Sequence, residues 1–308
     1  MRRIHSLFTG SATKKPAANQ NLVAYIFMTP WLIGFLVFTV GPILISLYLS
    51  FTRYDLFTSP EWTAFSNYER LFMRDSRFAT SLAVTAKYVL FSVPLRLIFA
   101  LMVALVLNRG IRGLSIYRAI YYLPSLLGGS IAISILWRQV FGLRGLVNQV
   151  LAIVGIEGQS WIAEPSTALY TLILLGVWQF GSPMIIFLAG LKQIPQELYE
   201  ASQIDGANKP QQFFKITLPL LTPIIFFNLI MQMVGSFQAF TPSFIITGGG
   251  PIDSTLFYTL YLYQQGFVNF RMGYAASLAW VLLVIIAIFT AIAFLSSRYW
   301  VYYEDSDR

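Results

Sequence analysis

The residues of this sequence that could do chemistry are few, and their types favour hydrogen bonding over bond making. There is no cysteine, and the one histidine, His5, lies in the polar N-terminal stretch. Thiol nucleophiles, disulfides, haem and Cys/His metal sites are therefore out of reach. The acids fall between or outside the long apolar stretches, so no carboxylate pair, nucleophile–base pair or metal cluster is available within them. No G-x-x-x-x-G-K-[ST] phosphate loop occurs, so this chain is not expected to hydrolyse ATP or to act as an enzyme. What remains in apolar surroundings is a set of amides, hydroxyls and one indole. One stretch carries Trp178, Gln179 and Ser182, flanked by Gly176, Gly181 and Pro183. A later one carries Asn228, Gln232, Gly235, Ser236, Ala239 and Ser243, mostly three or four residues apart, which makes one stripe on a helix. Amides hydrogen-bond hydroxyl groups and aromatic faces stack on sugar rings, so these positions suit a path for a polyhydroxylated solute. The same residue types also build helix–helix seams in lipid. Gln238 falls to the side of the stripe and reads as a packing contact, while Asn228, nearer the cytoplasmic end, suits either role. Two cations share another apolar stretch. Lys87, near its outer end, can snorkel. Arg96, near its middle, is costly against lipid and asks for a structural partner, a water-filled cavity or an anionic substrate.

The elements that hold these groups follow from composition. Of 308 residues, 56% are hydrophobic and 11% charged, against about 25% charged residues in an ordinary soluble domain. So much apolar surface cannot be covered by so little polar surface, and lipid is the natural solvent. Stretches long and apolar enough to span run over Leu22–Phe51, Ser81–Leu107, Ser115–Leu136, Ala168–Leu191, Leu220–Thr247 and Ala275–Trp300. The expected fold class is an all-α polytopic membrane protein with six transmembrane helices. The first stretch exceeds the apolar part of a leader and no small-residue cleavage pattern follows it, so it reads as a retained helix. The chain then divides into a tail (1–21), a first spanning helix (22–51), an external loop (52–80), a core of five helices (81–300) and a second tail (301–308). Lys and Arg are richer in the segments sharing a side with the termini (Arg109, Arg112, Arg118, Lys192, Lys209, Lys215) than in the alternate ones, whose Arg53, Arg70, Arg74 and Arg77 are offset by Asp55, Glu61, Glu69 and Asp75. Both termini are therefore expected in the cytoplasm. The net charge of +8 fits cytoplasmic loops and anionic lipid headgroups better than nucleic acid. Gly248, Gly249, Gly250 and Pro251 predict a turn, and the aromatic run after it (Phe257, Tyr258, Tyr261, Tyr263) is of the type found at a membrane–water interface.

One polar interruption, "EASQIDGANKPQQFFKITLP" (200–219), separates the fourth and fifth spans. Pro195 suits a first helical turn and Glu197 the helix dipole. A short helix to about Asp205 would end at Gly206, which accepts positive φ without steric cost. Asn208 is a good N-cap for a second short helix through Phe213 and Phe214. Pro219 and Pro223 then mark a bend into the fifth span. Glu200, Ala201 and Asp205 would share an exposed face, as in an ordinary amphipathic loop or in a docking element.

Glu200-Ala201-Ser202, then Gly206, then Ile216-x-Leu218-Pro219 resembles the cytoplasmic signature loop of ABC importer membrane subunits, with Ser202 where a second alanine is usual. "PWLIGFLVFTVGPILISLYLSFTRYDLF" (30–57), "NRGIRGLSIYRAIYYLP" (108–124) and "TGGGP" (247–251) look like the carbohydrate branch of that family. The whole chain is similar to the larger membrane subunit of the maltose transporter in a compact six-helix form, without extra helices or a large periplasmic domain. The resemblance implies a type I importer permease in a bacterial inner membrane. It implies that 195–219 is a coupling segment in which Glu200, Ala201, Ser202, Asp205, Gly206, Leu218 and Pro219 engage a separate ATPase. It further implies a second membrane subunit, two ATPase subunits carrying the ATP and Mg, an external solute-binding protein and a carbohydrate cargo, with no cofactor in this chain. Glycerol phosphate or another polar solute on the same scaffold is the first alternative. A secondary transporter is the other, against which stand the absence of inverted repeats and of intramembrane carboxylates.

Overall fold

The computed structural model describes residues 17–110 and 113–302. The readings of the outermost tail residues, and of Arg112, lie outside them. Helices α1 (Ala17–Phe35) and α2 (Gly41–Ser50), joined by a π-helical turn over Leu36–Val40, form the first span. The external loop is not plain coil. Strands β1 (Thr52–Arg53) and β2 (Glu61–Trp62) pair antiparallel, with Thr52 opposite Trp62 and Arg53 opposite Glu61, and helix α3 (Ser66–Met73) follows. Asn67 Nδ2 donates to the carbonyls of Ser50 and Thr52 and ties α3 to the end of α2.

Helix α4 (Ser76–Leu107) is the central post. It starts earlier than the expected Ser81 because Asp75 caps it, accepting from the Phe78 N–H. Its neighbours bury Tyr88, Val93, Leu97, Ala100 and Ala104.

The third span is not one helix. Helices α5 (Leu114–Leu127) and α6 (Ile131–Val140) meet at 95°. Gly128 and Gly129 interrupt the chain, and Ser130 in extended conformation caps α6 through its hydroxyl to the Ile133 N–H, so the segment restarts instead of continuing. Helix α7 (Leu146–Ile153) completes this corner, where the Asn148 amide donates to the carbonyls of Leu143 and Gln159.

The fourth span is also broken, into α8 (Ala168–Trp178) and α9 (Gly181–Leu191), bent by 41°. Pro183 has no N–H to offer the Gln179 carbonyl four residues back. The Ser125 hydroxyl donates to that carbonyl instead, at 2.9 Å, and accepts from the Ser182 N–H at 2.9 Å.

Helices α10 (Gln196–Ile204) and α11 (Lys209–Gln212) form the short helical pair expected of 195–219, and Asn208 caps α11 in a reciprocal box with Gln211. Pro219 and Pro223 do not bend the chain away. Through a π-helical turn over Phe213–Thr217, α11 runs on into α12 (Leu218–Phe237) as one helix, Lys209–Phe237. The carbonyl of Pro219, which Pro223 cannot serve, takes a hydrogen bond from the Thr222 hydroxyl. This helix ends at Phe237, short of the expected Thr247. The chain then turns through Ser243–Thr247, and Gly248 and Gly249 adopt positive φ.

The aromatic run after that turn lies in the core and not at an interface. On α13 (Tyr258–Tyr263) and just before it, Phe257, Tyr258 and Tyr261 are buried. Tyr258 donates its N–H to Thr85 and its hydroxyl to the Leu278 carbonyl. A second turn over Gln264–Val268 leads to α14 (Met272–Trp300), which packs on α2, α12 and α13. By length and apolarity four helices could cross a membrane among the described residues, or six spans if each bent pair is one. The count expected from the sequence stands, with two of the six broken.

Candidate functional site: a broken-helix seam and a polar knob

The two broken spans meet at their breaks. A Cβ on Gly181 would lie 2.4 Å from the Tyr121 carbonyl oxygen and 2.7 Å from Tyr122 Cα, so only glycine lets α9 approach α5 this closely. Gln179 Nε2 donates to the Gly128 carbonyl at 3.2 Å, joining one break to the other. Of the expected path residues, Gln179 thus joins this seam through its side chain to Gly128, and Ser182 through its backbone N–H to Ser125. Trp178, partly buried, finds a ring partner that its own stretch does not reveal: Trp137 on α6, with centroids 5.9 Å apart. Trp137 is held in turn by its indole N–H on the Thr171 carbonyl at 3.0 Å.

A second cluster joins α4, α8 and α12. Arg96 donates Nε to the Gly176 carbonyl and Nη1 to Gln232 Oε1. Gly176 stands in the last turn of α8, where the break leaves carbonyls without helical donors, and a cation is favoured at a helix C-terminus. The partner that the sequence could not supply for Arg96 is therefore a broken-helix end together with a residue of the polar stripe. Gln232 was legible as a polar group in a span; its pairing across three helices was not. Along α12, Asn228 and Ser236 are buried one turn to either side of Gln232. Gly235 is exposed, with open space where a Cβ would stand.

Ala239 and Ser243 belong to a different structure. Ala239 offers its carbonyl to the Thr259 hydroxyl. Ser243 is fully buried and donates to the Thr255 carbonyl. Thr255 in turn bonds Thr247 and the Gly250 carbonyl. Both residues thus secure the glycine-rich loop, and Ser243 is closed to any solute in this conformation. Gln238, taken from the sequence as a packing contact, is exposed at the end of α12.

At the opposite end of α12 the polar segment forms a knob. Glu200, Ala201, Asp205 and Gly206 are exposed, and Gly206 turns the chain at φ +81°. Leu218 and Pro219 are partly buried in the first turn of α12, away from the tip. Gln196 donates to Glu200 Oε1 at 3.0 Å along one helix face. Beneath them the buried Gln212 amide donates to Ser202 Oγ at 2.9 Å and to the Tyr199 carbonyl, and the Tyr199 and Thr217 hydroxyls pair at 2.8 Å. Ser202, the departure from the usual motif, is the bond that locks α10 onto α11. Ile204, 88% exposed, and Phe214, 65% exposed, leave apolar surface on the same end.

Residues 73–301 match the family described as "Binding-protein-dependent transport system inner membrane component". The chain belongs to that family. It is 54% identical over 290 residues to the "Probable ABC transporter permease protein YesP" of Bacillus subtilis (strain 168), covering 93% of this chain and 94% of that protein. It is 33% identical over 274 residues to the arabinooligosaccharides transport system permease protein AraP of the same organism, covering 87% and 86%. In fold it is similar to a chain of a bacterial ABC transporter involved in the import of the acidic polysaccharide alginate, with a TM-score of 0.76, 24% identity, and 91% and 96% coverage. The chain is accordingly a multi-pass membrane permease of a binding-protein-dependent transport system. The knob and the broken-helix seam are features of that permease.

Proposed function

We propose that the chain is one of two homologous membrane subunits of an inner-membrane importer that carries a carbohydrate, an oligosaccharide in particular, from an external solute-binding protein into the cytoplasm. Both termini face the cytoplasm. Two ATPase subunits, holding the ATP and Mg, grip the knob at Glu200, Ala201, Ser202, Asp205 and Gly206. The observation that carries this reading is mechanical. The knob is exposed at its tip, locked at its base by Ser202 and Gln212, and continuous through Lys209–Phe237 with the helix that bears Gln232. A push on the knob therefore reaches the Arg96–Gln232 contact and the break in α8 without passing through a flexible joint. A carbohydrate suits the amides, hydroxyls and tryptophans of Trp137, Trp178, Gln232 and Ser236, and it accords with the sugars named for relatives such as AraP. A partner can drive such a change only by binding one state better than the other, and the ATPase pair supplies that difference.

The test is reconstitution in vesicles of the chain alone, then with its paired membrane subunit, then with the ATPases and the solute-binding protein. Uptake of labelled sugar is expected in the last case only, and with ATP. Concentrative uptake by the chain alone under a proton or sodium gradient would replace this reading with that of a secondary transporter.

A further inference from the structure

Arg96 is a cation in the middle of the central helix with no anion beside it. Among the described residues the ion pairs are Arg74–Glu69 and Arg77–Asp253, both at the external face. The described acids near the spans sit at their ends or in loops. The groups that hold Arg96 are neutral: the Gly176 carbonyl and the Gln232 amide oxygen. A Cβ on Gly176 would come within 2.9 Å of the Tyr88 hydroxyl and 3.0 Å of Arg96 Nη2, so a phenol stands in the same corner. Neutral oxygens orient a guanidinium without cancelling its charge. The bonds above use the N–H of Nε and one N–H of Nη1, the Tyr88 hydroxyl lies beside Nη2, and the planar fork matches a carboxylate in shape.

The surroundings are also incompletely satisfied. Ser92 Oγ, Asn228 Oδ1 and Ser236 Oγ are buried with no hydrogen-bond partner among the described residues. Ser92 lies one turn before Arg96 on α4, and Asn228 and Ser236 lie one turn to either side of Gln232 on α12, so each shares the face of the residue it flanks. Such groups can pair with the hydroxyls of a solute as readily as with water. One unneutralised guanidinium among several unpaired hydroxyl and amide oxygens matches a ligand with one carboxylate and several hydroxyls.

Building on the carbohydrate reading, we infer that Arg96 receives the carboxylate of an acidic sugar, and that this transporter prefers uronate-bearing oligosaccharides to neutral ones. Gln232 holds the guanidinium fork between arrivals, and Ser92, Ser236 and Asn228 meet the sugar hydroxyls. A lone arginine suits a monoanion. A phosphate ester approaching two negative charges would ask for a second cation, and none lies in this cluster among the described residues.

The experiment uses the assembled membrane complex without its solute-binding protein, so that only the path selects. Binding is measured for labelled neutral di- and trisaccharides, each paired with the same sugar oxidised at C6 to the uronate, and for glycerol phosphate. The expected result is at least tenfold tighter binding of the uronate within a pair. Arg96→Gln should abolish that preference, read as the ratio of uronate to neutral-sugar binding within a pair, and Arg96→Lys should keep part of it. Equal binding within pairs, a preference that survives Arg96→Gln, tighter binding of glycerol phosphate, or no binding of any probe would each overturn the inference. Neutral sugars bound as well as uronates would leave the carbohydrate reading standing, whereas glycerol phosphate bound alone would remove both. Should Arg96→Gln fail to assemble, Arg96→Lys decides, because an undiminished preference there excludes the forked contact.

Discussion

At the scale of single residues, two glycines of similar sequence context carry opposite loads. Gly181 packs against the backbone of Tyr121 and Tyr122, which cannot rotate out of the way. Gly181→Ala is expected to force α9 off α5 and to cost about 1–3 kcal/mol, as overpacking does. Gly235 faces open space, so Gly235→Ala should not lower stability, since alanine is the better helix former by about 1 kcal/mol. If Gly235 borders the path, the same change lowers uptake. Thermal unfolding of the purified complex, read beside uptake, separates the two, and equal destabilisation would contradict the packing described. The knob gives a second pair of expectations. Gly206 sits at φ +81°, a conformation that costs other residues about 1–2 kcal/mol and a β-branched one more. Gly206→Val should distort the turn and detach the ATPase. Glu200→Lys, which removes only an exposed bond from Gln196, should leave the subunit inserted while uncoupling ATP hydrolysis from uptake. Normal ATP-driven uptake by Glu200→Lys would remove Glu200 from the docking surface.

At the scale of elements, the N-terminal end of α4 is latched to the last third of the chain. Arg77 makes a bidentate bond to Asp253, at 2.8 and 2.7 Å, and Asp75 accepts from the hydroxyls of Tyr261 and Tyr274 while capping α4. Burial alone would raise the Asp75 carboxyl, but the bonds from Tyr261, Tyr274 and the Phe78 N–H outweigh it and hold it below the usual carboxylate range. A lowered folded-state pKa means stability that is present above the unfolded value of about 3.9 and lost as pH falls through the folded one. The difference in melting temperature between the native chain and Asp75→Asn should therefore be flat from pH 7 to about pH 4 and shrink below that. A difference that instead vanished between pH 7 and 5 would point to another group. None of this latch was readable in the sequence, because Asp75, Asp253 and Tyr261 are far apart along the chain and look like loop and interface residues. The knob was readable almost in full, since Gly206 and Asn208 act through their immediate neighbours. The broken spans fall between these cases. Gly128-Gly129-Ser130 and Gly181-Ser182-Pro183 were in view, but apolar length read them as continuous helices. The bonds that make the breaks tolerable, from Ser125 and Gln179, join different elements.

At the scale of the molecule, the helix Lys209–Phe237 is 29 residues long, about 44 Å at 1.5 Å per residue. It is the one described element that begins at the knob and ends beside the glycine-rich loop secured by Ser243 and Thr255. Spin labels on the exposed Gln211 and Gln238, near its two ends, should keep one separation with and without nucleotide. Labels on Gln211 and on Ile131, across the broken seam, should change theirs. A nucleotide-dependent change within the helix would mean that the π-helical turn over Phe213–Thr217 is a hinge and not a rigid insert.

The first span gives the chain a life history as well as a shape. No described side chain of α1 is buried, and only the α2 half of the span leans on α14. The α1 half therefore has no buried seat among the described helices of its own subunit and is left to lipid or to a neighbouring chain. In the assembly proposed above, a subunit made in excess of its partners would differ from an assembled one by this uncovered helix.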